Sequence, residues 1–467
     1  MKAKLSSLLL LAAVCGGSVT ALSQTESTSF VIGNDTYYLH KIAYHDLSSD
    51  NPEIGVWNQN IVADKQYVYL ADHSDNSNTH LTIKRFNALT GTDADNIVIS
   101  EQDIKEYWID ELTDEERCFY LVDCHDDEHF ILFINPPFEG YKYPFEFYFY
   151  LIDKNGSIEC EFLAKGVPND STFPNKEISE FGIPEIIGNP TTGNFEILLP
   201  LVDDLAHMTI AHYYFENKRQ KSYTAEFYDY INNYTKPSVN IIDDSFMLID
   251  DISIYPSLYA YTFSPNRCFG ELTDNHINAH GCDWFDFDGH RLLYSGDIEY
   301  SENDPKNATT QFNIGLWDKT MSRASTISFD NYAPLTTLNF GKSSINLNEQ
   351  FPYTYRQFMA VSDYGNTTKH LHFYVPGEFL ATYQLNKYER PTDVENIINI
   401  ADNHTVSYRI SDKNIIFDCP VADVSAFNMT GHQIFHSTTP VKSINFANFV
   451  KGTYIIATPY KSFKILL

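Results

Sequence analysis

Basic residues are scarce in this chain of 467 residues, in which 32 Lys and Arg face 62 Asp and Glu and leave a net charge of −30. The acid excess is concentrated in the middle, since residues 24–393 carry −33, residues 394–467 carry +1 and residues 1–23 carry +2. A surface this acidic repels phosphate backbones and anionic lipid. We therefore expect no nucleic-acid partner. The acid excess fits either solubility outside the cell or binding of calcium or a cationic ligand.

Long apolar segments and cysteines are also few. After residue 23 no stretch reaches the roughly 18 consecutive apolar residues that a transmembrane helix needs, so none is expected. Six of the seven cysteines follow residue 23, and Cys118 with Cys124, and Cys268 with Cys282, are close enough in sequence to pair. Six cysteines allow about 15 connectivities, and the sequence does not choose among them.

No catalytic motif occurs in the chain. It lacks the Gly-x-Ser-x-Gly elbow of serine hydrolases, the His-Glu pair of zinc peptidases and a phosphate-binding glycine-rich loop. The adjacent acids Asp203-Asp204, Asp243-Asp244 and Asp250-Asp251 would point to opposite faces of a strand, so none forms a glycosidase dyad by itself. Whether the protein is an enzyme is therefore left open.

Aromatic residues are abundant, with 32 Tyr and 33 Phe, and this bias favours strands over helices. Groups of short apolar strands recur along the chain, beginning near residues 67, 119, 195, 246, 284 and 358. Repeated four-stranded units of about 40 to 60 residues are typical of β-propeller blades. We predict an all-β protein in which residues 24–390 form a propeller-like domain of six or seven blades. A set of β-sandwiches is the alternative.

One helix is predicted, from Ile99 to Thr113. Ser100 would cap it, and Asp103 follows three residues later in the acidic first turn. We expect this helix to decorate a connection between two blades.

The first residues have the pattern of a signal peptide. Lys2 and Lys4 precede the apolar run from Leu8 to Val14, and Ala21-Leu22-Ser23 places small residues before Gln24. We expect residues 1–23 to be removed on export. Lipid attachment at Cys15 is the less favoured alternative, because Val14 is bulkier than the small residue expected before an acylated cysteine.

Three short motifs lie near the other end of the chain: Met429-Thr430-Gly431-His432-Gln433, then Val450 to Ile456, then Phe463 to Leu467. Together they resemble the type A C-terminal sorting domain of cargo proteins of the bacterial type IX secretion system. The resemblance implies a small immunoglobulin-like β-sandwich over residues 394–467 that binds the type IX machinery. Thr453 and the final Leu466-Leu467 depart from the commoner pattern.

The sorting signal implied by this resemblance would include Gly431, Gly452, Tyr454 and Lys464. It would direct the protein to the medium or to the outer cell surface. The central region is similar in turn to the divergent β-propellers of secreted bacterial proteins, although it carries none of their blade signature motifs.

Two segments contain candidate metal ligands. His276 and His280 could share a helical face, with Cys282 or Asp283 as a third ligand, but a loop bearing two histidines is the favoured interpretation. Asp286 and Asp288 have the spacing of carboxylates that could hold Ca²⁺. The favoured interpretation is a strand that ends in an Asp-Gly hairpin turn.

The leading hypothesis is a secreted or cell-surface binding protein with a glycan or protein ligand. The alternative is a secreted hydrolase that acts on glycans with acids in the propeller funnel. A structural surface-layer component, which would self-associate, is a third possibility.

Overall fold

A computed structural model of the chain describes the following residues: 26–47, 60–71, 80–100, 103–104, 119–124, 126–134, 145–166, 178–203, 208–228, 237–242, 246–251, 257–263, 266–271, 281–301, 304–317, 334–342, 357–365, 368–387, 408–411, 414–421, 424–428, 433–437, 439–446, 453–458 and 462–466. The chain divides into two compact units, Met1–Glu389 and Arg390–Leu467. In the described residues, no helix is long and apolar enough to cross a membrane. The predicted signal peptide, 1–23, and residues 391–393 between the two predicted domains lie outside the described residues.

The first unit consists of antiparallel sheets that follow one another along the chain. Two strands come first, β1 (Ser27–Ile32) and β2 (Asp35–Asp46). The first blade contains β3 (Ile61–Ala63), β4 (Tyr67–Ala71), β5 (His80–Asn87) and β6 (Asp93–Ser100). The second blade contains β7 (Phe119–Asp123), β8 (His129–Ile134), β9 (Phe145–Asp153) and β10 (Ile158–Gly166).

The third blade has a divided inner strand. It contains β11 (Ile178–Phe181), β12 (Glu185–Asn189), β13 (Asn194–Asp203), β14 (Met208–Glu216) and β15 (Arg219–Tyr228). Both β11 and β12 pair with β13, and a short 3-10 helix, Pro190–Thr192, joins β12 to β13. The fourth blade contains β16 (Ser238–Ile241), β17 (Phe246–Asp251), β18 (Ser257–Phe263) and β19 (Asn266–Glu271).

The last two blades complete the unit. The fifth contains β20 (Cys282–Phe287), β21 (His290–Ser301), β22 (Asp304–Leu316) and β23 (Thr336–Lys342). The sixth contains β24 (Phe358–Asp363), β25 (Thr368–Val375) and β26 (Phe379–Asn386), followed in space by β2 and β1. In the described residues the unit is therefore a six-bladed β-propeller, and the predicted fold class is confirmed.

The inner strands of the blades form a closed cycle of contacts. β24 contacts β3, β3 contacts β7, β7 contacts β12, β12 contacts β16, β16 contacts β20, and β20 returns to β24. Hydrophobic clusters fill spaces between neighbouring blades, and the one between the fifth and sixth blades buries Phe312, Phe340, Phe373 and Tyr383. Such radial packing leaves only short sheet edges exposed, as in other propellers.

The sixth blade is assembled from both ends of the unit. β2 pairs antiparallel with β26 from Tyr38↔Asn386 to Asp46↔Phe379, and β1 pairs with β2. Alternation along β2 buries Tyr37 and Leu39 completely against the fifth blade. The N-terminal strands therefore close the ring of blades.

The predicted helix at Ile99 to Thr113 is wrong at its start. Ile99 and Ser100 end β6, where Ile99 pairs with Leu81 and Ser100 pairs with His80. Ile97 and Ile99 are both buried, since alternate residues of a strand share a face, and this burial favours the strand. Except for residues 103 and 104, the remainder of the predicted helix lies outside the described residues.

The second unit has seven described strands in two sheets, which agrees with the predicted small sandwich. One sheet has the order β27 (Tyr408–Ser411), β28 (Asn414–Val421) and β31 (Val441–Asn445). The other has the order β30 (Gln433–Ser437), β29 (Val424–Asn428), β32 (Thr453–Ala457) and β33 (Ser462–Leu466). Residues of both sheets, including Phe417, Ala426, Ile444 and Ile456, form a hydrophobic core that belongs to this unit.

Candidate functional site

The two aspartates considered as weak candidates for calcium ligands, Asp286 and Asp288, have different partners in the structure. Asp286, on β20, binds Arg291 through two parallel hydrogen bonds of 2.8 Å, and the guanidinium of Arg291 lies 3.9 Å from the centre of the Trp284 ring. Asp288 occupies the β20–β21 turn with a positive φ of 51°, beside Gly289. The favoured hairpin interpretation describes this geometry, and each carboxylate has its own cationic partner.

Asp288 joins the fifth blade to the sixth. Its Oδ2 accepts a hydrogen bond of 2.8 Å from the hydroxyl of Tyr37 and one of 2.7 Å from Nζ of Lys387. Nζ of Lys387 also lies 3.1 Å from Oδ2 of Asp35. The hydrogen bonds from Lys387 and Tyr37 hold the pKa of Asp288 below its usual range. The structure therefore shows Asp288 as a contact between two blades.

The histidine candidates, His276 and His280, lie outside the described residues. Within the described part of the chain, no group of three or more His, Cys, Asp and Glu side chains is placed to hold a metal ion. Calcium binding by this protein stays a prediction. Cys124, which is close enough in sequence to Cys118 to pair with it, is a free thiol in the structure, and so is Cys160.

A buried polar network that the sequence analysis did not identify joins the sixth blade to the first. Ser362 Oγ lies 2.5 Å from the carbonyl oxygen of Asp64 and 2.8 Å from Nε2 of His372. Nδ1 of His372 lies 3.0 Å from Oγ1 of Thr382. Ser362 and His372 have no exposed surface, and Thr382 is 1% exposed.

The direction of the protons in this network follows from its partners. The carbonyl of Asp64 can only accept, so the hydroxyl of Ser362 donates to it. Ser362 Oγ then accepts from Nε2–H of His372, whose Nδ1 accepts from Thr382. His372 thus donates a hydrogen bond to the Ser362 oxygen instead of accepting one from it, which is the opposite of the arrangement that activates a serine nucleophile. The geometry is that of a structural contact.

Neighbouring groups extend the network along the same two blades. The Asp64 carboxylate caps its own turn by accepting from the backbone N–H groups of Gln66 and Tyr67, and it also accepts from the Tyr69 hydroxyl at 2.6 Å. Tyr364 donates to the carbonyl of Lys65 at 2.7 Å. The last blade is thereby bound to the first turn of the first blade.

The burial of His372 predicts a pH dependence of stability. Complete burial, together with the neighbouring His370, holds the pKa of His372 well below its usual range. The unfolded chain, with an ordinary histidine pKa of about 6.5, binds the extra proton first as the pH falls. The stability that neutral His372 contributes is therefore complete above about pH 6.5 and is lost below it, at up to about 1.4 kcal/mol per pH unit.

We expect the difference in unfolding free energy between the wild type and His372→Gln to shrink by about 2 kcal/mol between about pH 7 and pH 5. Glutamine keeps one donor and one acceptor but takes up no proton in this range. Urea unfolding at several pH values measures this difference. The other titrating groups are the same in both proteins, so their contributions to the two unfolding free energies cancel. Parallel curves for the two proteins would contradict the prediction.

The fifth blade has one apolar and one polar face. Tyr294, Phe312 and Leu338 point toward the sixth blade. Because facing residues of paired strands lie on one side of a sheet, the registers Ser295↔Asn313↔Thr337 and Asp297↔Gln311↔Asn339 place six polar side chains on the opposite side. We call these six residues the polar face of the fifth blade.

This polar face is directed at the fourth blade. Cys282 pairs with Ser295 in register and so lies on the same side of the sheet. Asn240, on the inner strand of the fourth blade, donates from Nδ2 to the carbonyl of Cys282 at 3.1 Å. Strands β16 and β17 of the fourth blade contact β20 at the same place. The two blades therefore enclose a polar surface between them.

The links between blades all leave from one end of the blades, and one further long connection, residues 317–335 between β22 and β23, lies at the other end. Between the first and second strands of each blade the chain takes 2 to 5 residues. The links from one blade to the next, which leave from the opposite end, take 9 to 18 residues. We call this opposite end the long-connection end. By sequence, the link 101–118 alone holds eight acids, two basic residues, Tyr107 and Trp108.

The predicted sorting residues fall in the second unit. Tyr454, on β32, is 6% exposed, and the centre of its ring lies 5.3 Å from that of Phe446. It therefore belongs to the core of that unit. Lys464, on β33, is exposed. Gly431 and Gly452 lie outside the described residues.

Comparison with known proteins gives structural likenesses only. No protein-family model matches the chain, and no curated protein matches it by sequence. A subtype N10 neuraminidase-like protein of A/little yellow-shouldered bat/Guatemala/060/2010 is 8% identical with a TM-score of 0.38, covering 74% of this chain and 99% of its own. A protein of unknown function from Dyadobacter fermentans is 10% identical with a TM-score of 0.43, again covering 74% and 99%.

A third solved structure is the Trypanosoma rangeli sialidase in complex with the inhibitor DANA. It is 10% identical with a TM-score of 0.37, and the match covers 78% of this chain and 60% of that one. At these identities and TM-scores the likenesses identify neither a ligand nor a reaction for this chain.

Proposed function

We propose that this protein is an exported binding protein, displayed on the outer cell surface or released, whose propeller holds a glycan or protein ligand at its long-connection end. The observation that carries the proposal is that all the links between blades, of 9 to 18 residues each, leave from this one end. Functional residues concentrate on loops that a rigid scaffold positions, and a closed ring of sheets is such a scaffold.

The electrostatics of the first unit support the same proposal. Several acids of the described strands and turns have local basic partners, such as Asp286 with Arg291, Asp288 with Lys387 and Asp363 with Lys369. The link 101–118, which joins the end of β6 to the start of β7, is rich in acids by sequence. A ligand approaching the first unit meets a negative field, which favours neutral or cationic groups over anionic ones.

Export is the second part of the proposal. Residues 394–467 would act as the type IX sorting domain, following a signal peptide at residues 1–23. The resemblance of three sequence motifs and the seven described strands with their own core support it.

A binding experiment separates this function from glycan hydrolysis. The purified full chain is applied to an array of bacterial and host polysaccharides and extracellular proteins, and the best ligand is then incubated with the protein while reducing ends are measured. We expect saturable binding without time-dependent release of reducing ends. The urea-unfolded chain is the control for nonspecific attraction by the acidic surface. Release of reducing ends would favour the hydrolase, and absence of saturable binding would contradict the proposal.

A further inference from the structure

Strand β1 forms the outer edge of the sixth blade and contains no charged residue. Its sequence, from Ser27 to Ile32, is Ser-Thr-Ser-Phe-Val-Ile. The outer strands of the other five blades, β6, β10, β15, β19 and β23, each contain at least one charged residue. Charged residues on an edge strand discourage pairing with another chain. The edge of the sixth blade lacks this protection.

The backbone of this edge is open to a further strand. In the described part of the chain β1 pairs with β2 alone, so every second residue of β1 directs its N–H and C=O groups away from the sheet. The edge of the second blade differs, because the side-chain amide of Gln220 on β15 binds both the N–H and the C=O of Lys165 on β10. An edge with unpaired backbone groups is a template for an added strand.

One side of β1 is held firmly in the propeller, while the other side is exposed. Phe30 and Ile32 are buried in the cluster between the fifth and sixth blades, and Thr28 Oγ1 lies 3.2 Å from Oγ1 of Thr336 on β23. Val31 points the opposite way and is 56% exposed. The edge is therefore formed before any partner arrives, and little ordering is needed for a partner strand to pair with it.

The sixth blade also has one strand more from inside to outside than the other blades. Its order is β24, β25, β26, β2 and β1, whereas each of the other blades has four positions. Because neighbouring strands lie about 4.8 Å apart, β1 extends the blade by that distance. Two copies that meet at β1 therefore keep their acidic bodies further apart than copies that meet at another blade edge.

We propose that two copies of this chain associate by antiparallel pairing of their β1 strands about a two-fold axis. A second copy supplies an edge that is equally free of charge, so no like charges oppose each other in the pairing. Self-pairing of any other outer strand would place charged residues in the contact. A two-fold contact uses both edges and ends at two copies. The association does not depend on the ligand of the propeller.

The size and charge of the two copies determine how the association behaves. Six paired residues on each copy bury less than the roughly 1,200 Å² of a standard stable interface, so the dimer is weak. Residues 24–393 carry −33 in each copy, and the two bodies repel each other at low ionic strength. Salt screens this repulsion, so association strengthens as salt is added. A contact made by ion pairs would weaken instead.

The test compares two edge variants with a matched control. Sedimentation velocity is measured on the full-length wild type, Val31→Lys, Ser29→Lys and Val98→Lys, from about 1 to 200 μM protein and from about 50 to 500 mM NaCl. Ser29 is exposed on β1, and Val98 is 61% exposed on β6, an outer strand that already has two acids. We expect the wild type and Val98→Lys to dimerise equally, and more at high salt. The two β1 variants should dimerise at least about tenfold more weakly.

Thermal unfolding of the four proteins separates association from folding. The replaced side chains are exposed, so all midpoints should agree within about 2 °C, and either β1 variant alone is enough if the other fails to fold. Equal dimerisation of the β1 variants and the wild type would assign the contact to another surface and overturn the proposal. Equal weakening by Val98→Lys, a wild type that is monomeric throughout, or association that weakens with salt would also overturn it.

Discussion

Tyr37→Ala is expected to lower the free energy of unfolding of the first unit by about 4 kcal/mol. The Tyr37 side chain is completely buried. The centre of its ring lies 5.4 Å from that of Phe30 in its own blade and 5.6 Å from that of Phe287 in the fifth blade. Its hydroxyl also donates to Asp288 across the blade boundary. Because β2 is the strand that closes the ring, the cavity would weaken the contact on which the last blade depends.

Denaturant unfolding followed by tryptophan fluorescence measures this loss. Tyr37→Phe keeps the ring and removes only the hydroxyl, and it should cost about 1 kcal/mol because Lys387 still binds Asp288. Tyr38→Ala changes the neighbouring, half-buried tyrosine of the same strand and should cost clearly less than Tyr37→Ala. Equal losses for the two alanine variants would show that β2 does not pack as described.

Deletion of residues 394–467 is expected to abolish export. In a bacterium that has the type IX machinery, the shortened protein should accumulate in the periplasm, with less than about a tenth of the wild-type amount outside. The first unit has its own clusters of buried residues, so its core does not depend on the removed strands. Cell fractionation and immunoblotting measure the distribution. Equal amounts of the two proteins outside the cell would defeat the sorting hypothesis.

Single substitutions separate recognition from folding in this domain. Tyr454 is a core residue, so replacing it would also disturb the sandwich. Lys464 is exposed on β33 and can be replaced without opening the core. We expect Lys464→Ala to reduce export severalfold, while Lys442→Ala, which removes another exposed lysine from β31, should not. Reduced export in both variants would indicate a general effect of charge.

Strand positions were predictable where a segment is long and strongly apolar. The segments near Phe119, Phe145 and Phe312 all coincide with observed strands. The short inner strands β3, β12 and β16 were not identified, since three to five residues carry too little pattern. Strands β1 and β2 were also missed, although Tyr37 and Leu39 alternate with polar residues. The partner of β2 in the blade, β26, lies more than 300 residues away in sequence, and β1 pairs only with β2.

The buried polar groups show why sites were harder to predict than strands. His370 and His372 alternate with Leu371 and Phe373, which indicates two different faces of one strand. The pattern does not reveal that the histidine face is covered by the first blade. Ser295 and Asn313 alternate in the same way with Tyr294 and Phe312, and only their pairing in register makes a common surface. In both cases the missing information is which blade lies opposite.

The pairing of β2 with β26 also determines when the propeller can be completed. The chain emerges during synthesis from its N-terminal end, so β2 waits for more than 300 further residues before its neighbour exists. Contacts between such distant segments slow folding, because the entropy of closing a large loop is lost before the contacts form. Strand β2 is thus among the last strands to find its partner, although it is made before all the strands of the first five blades.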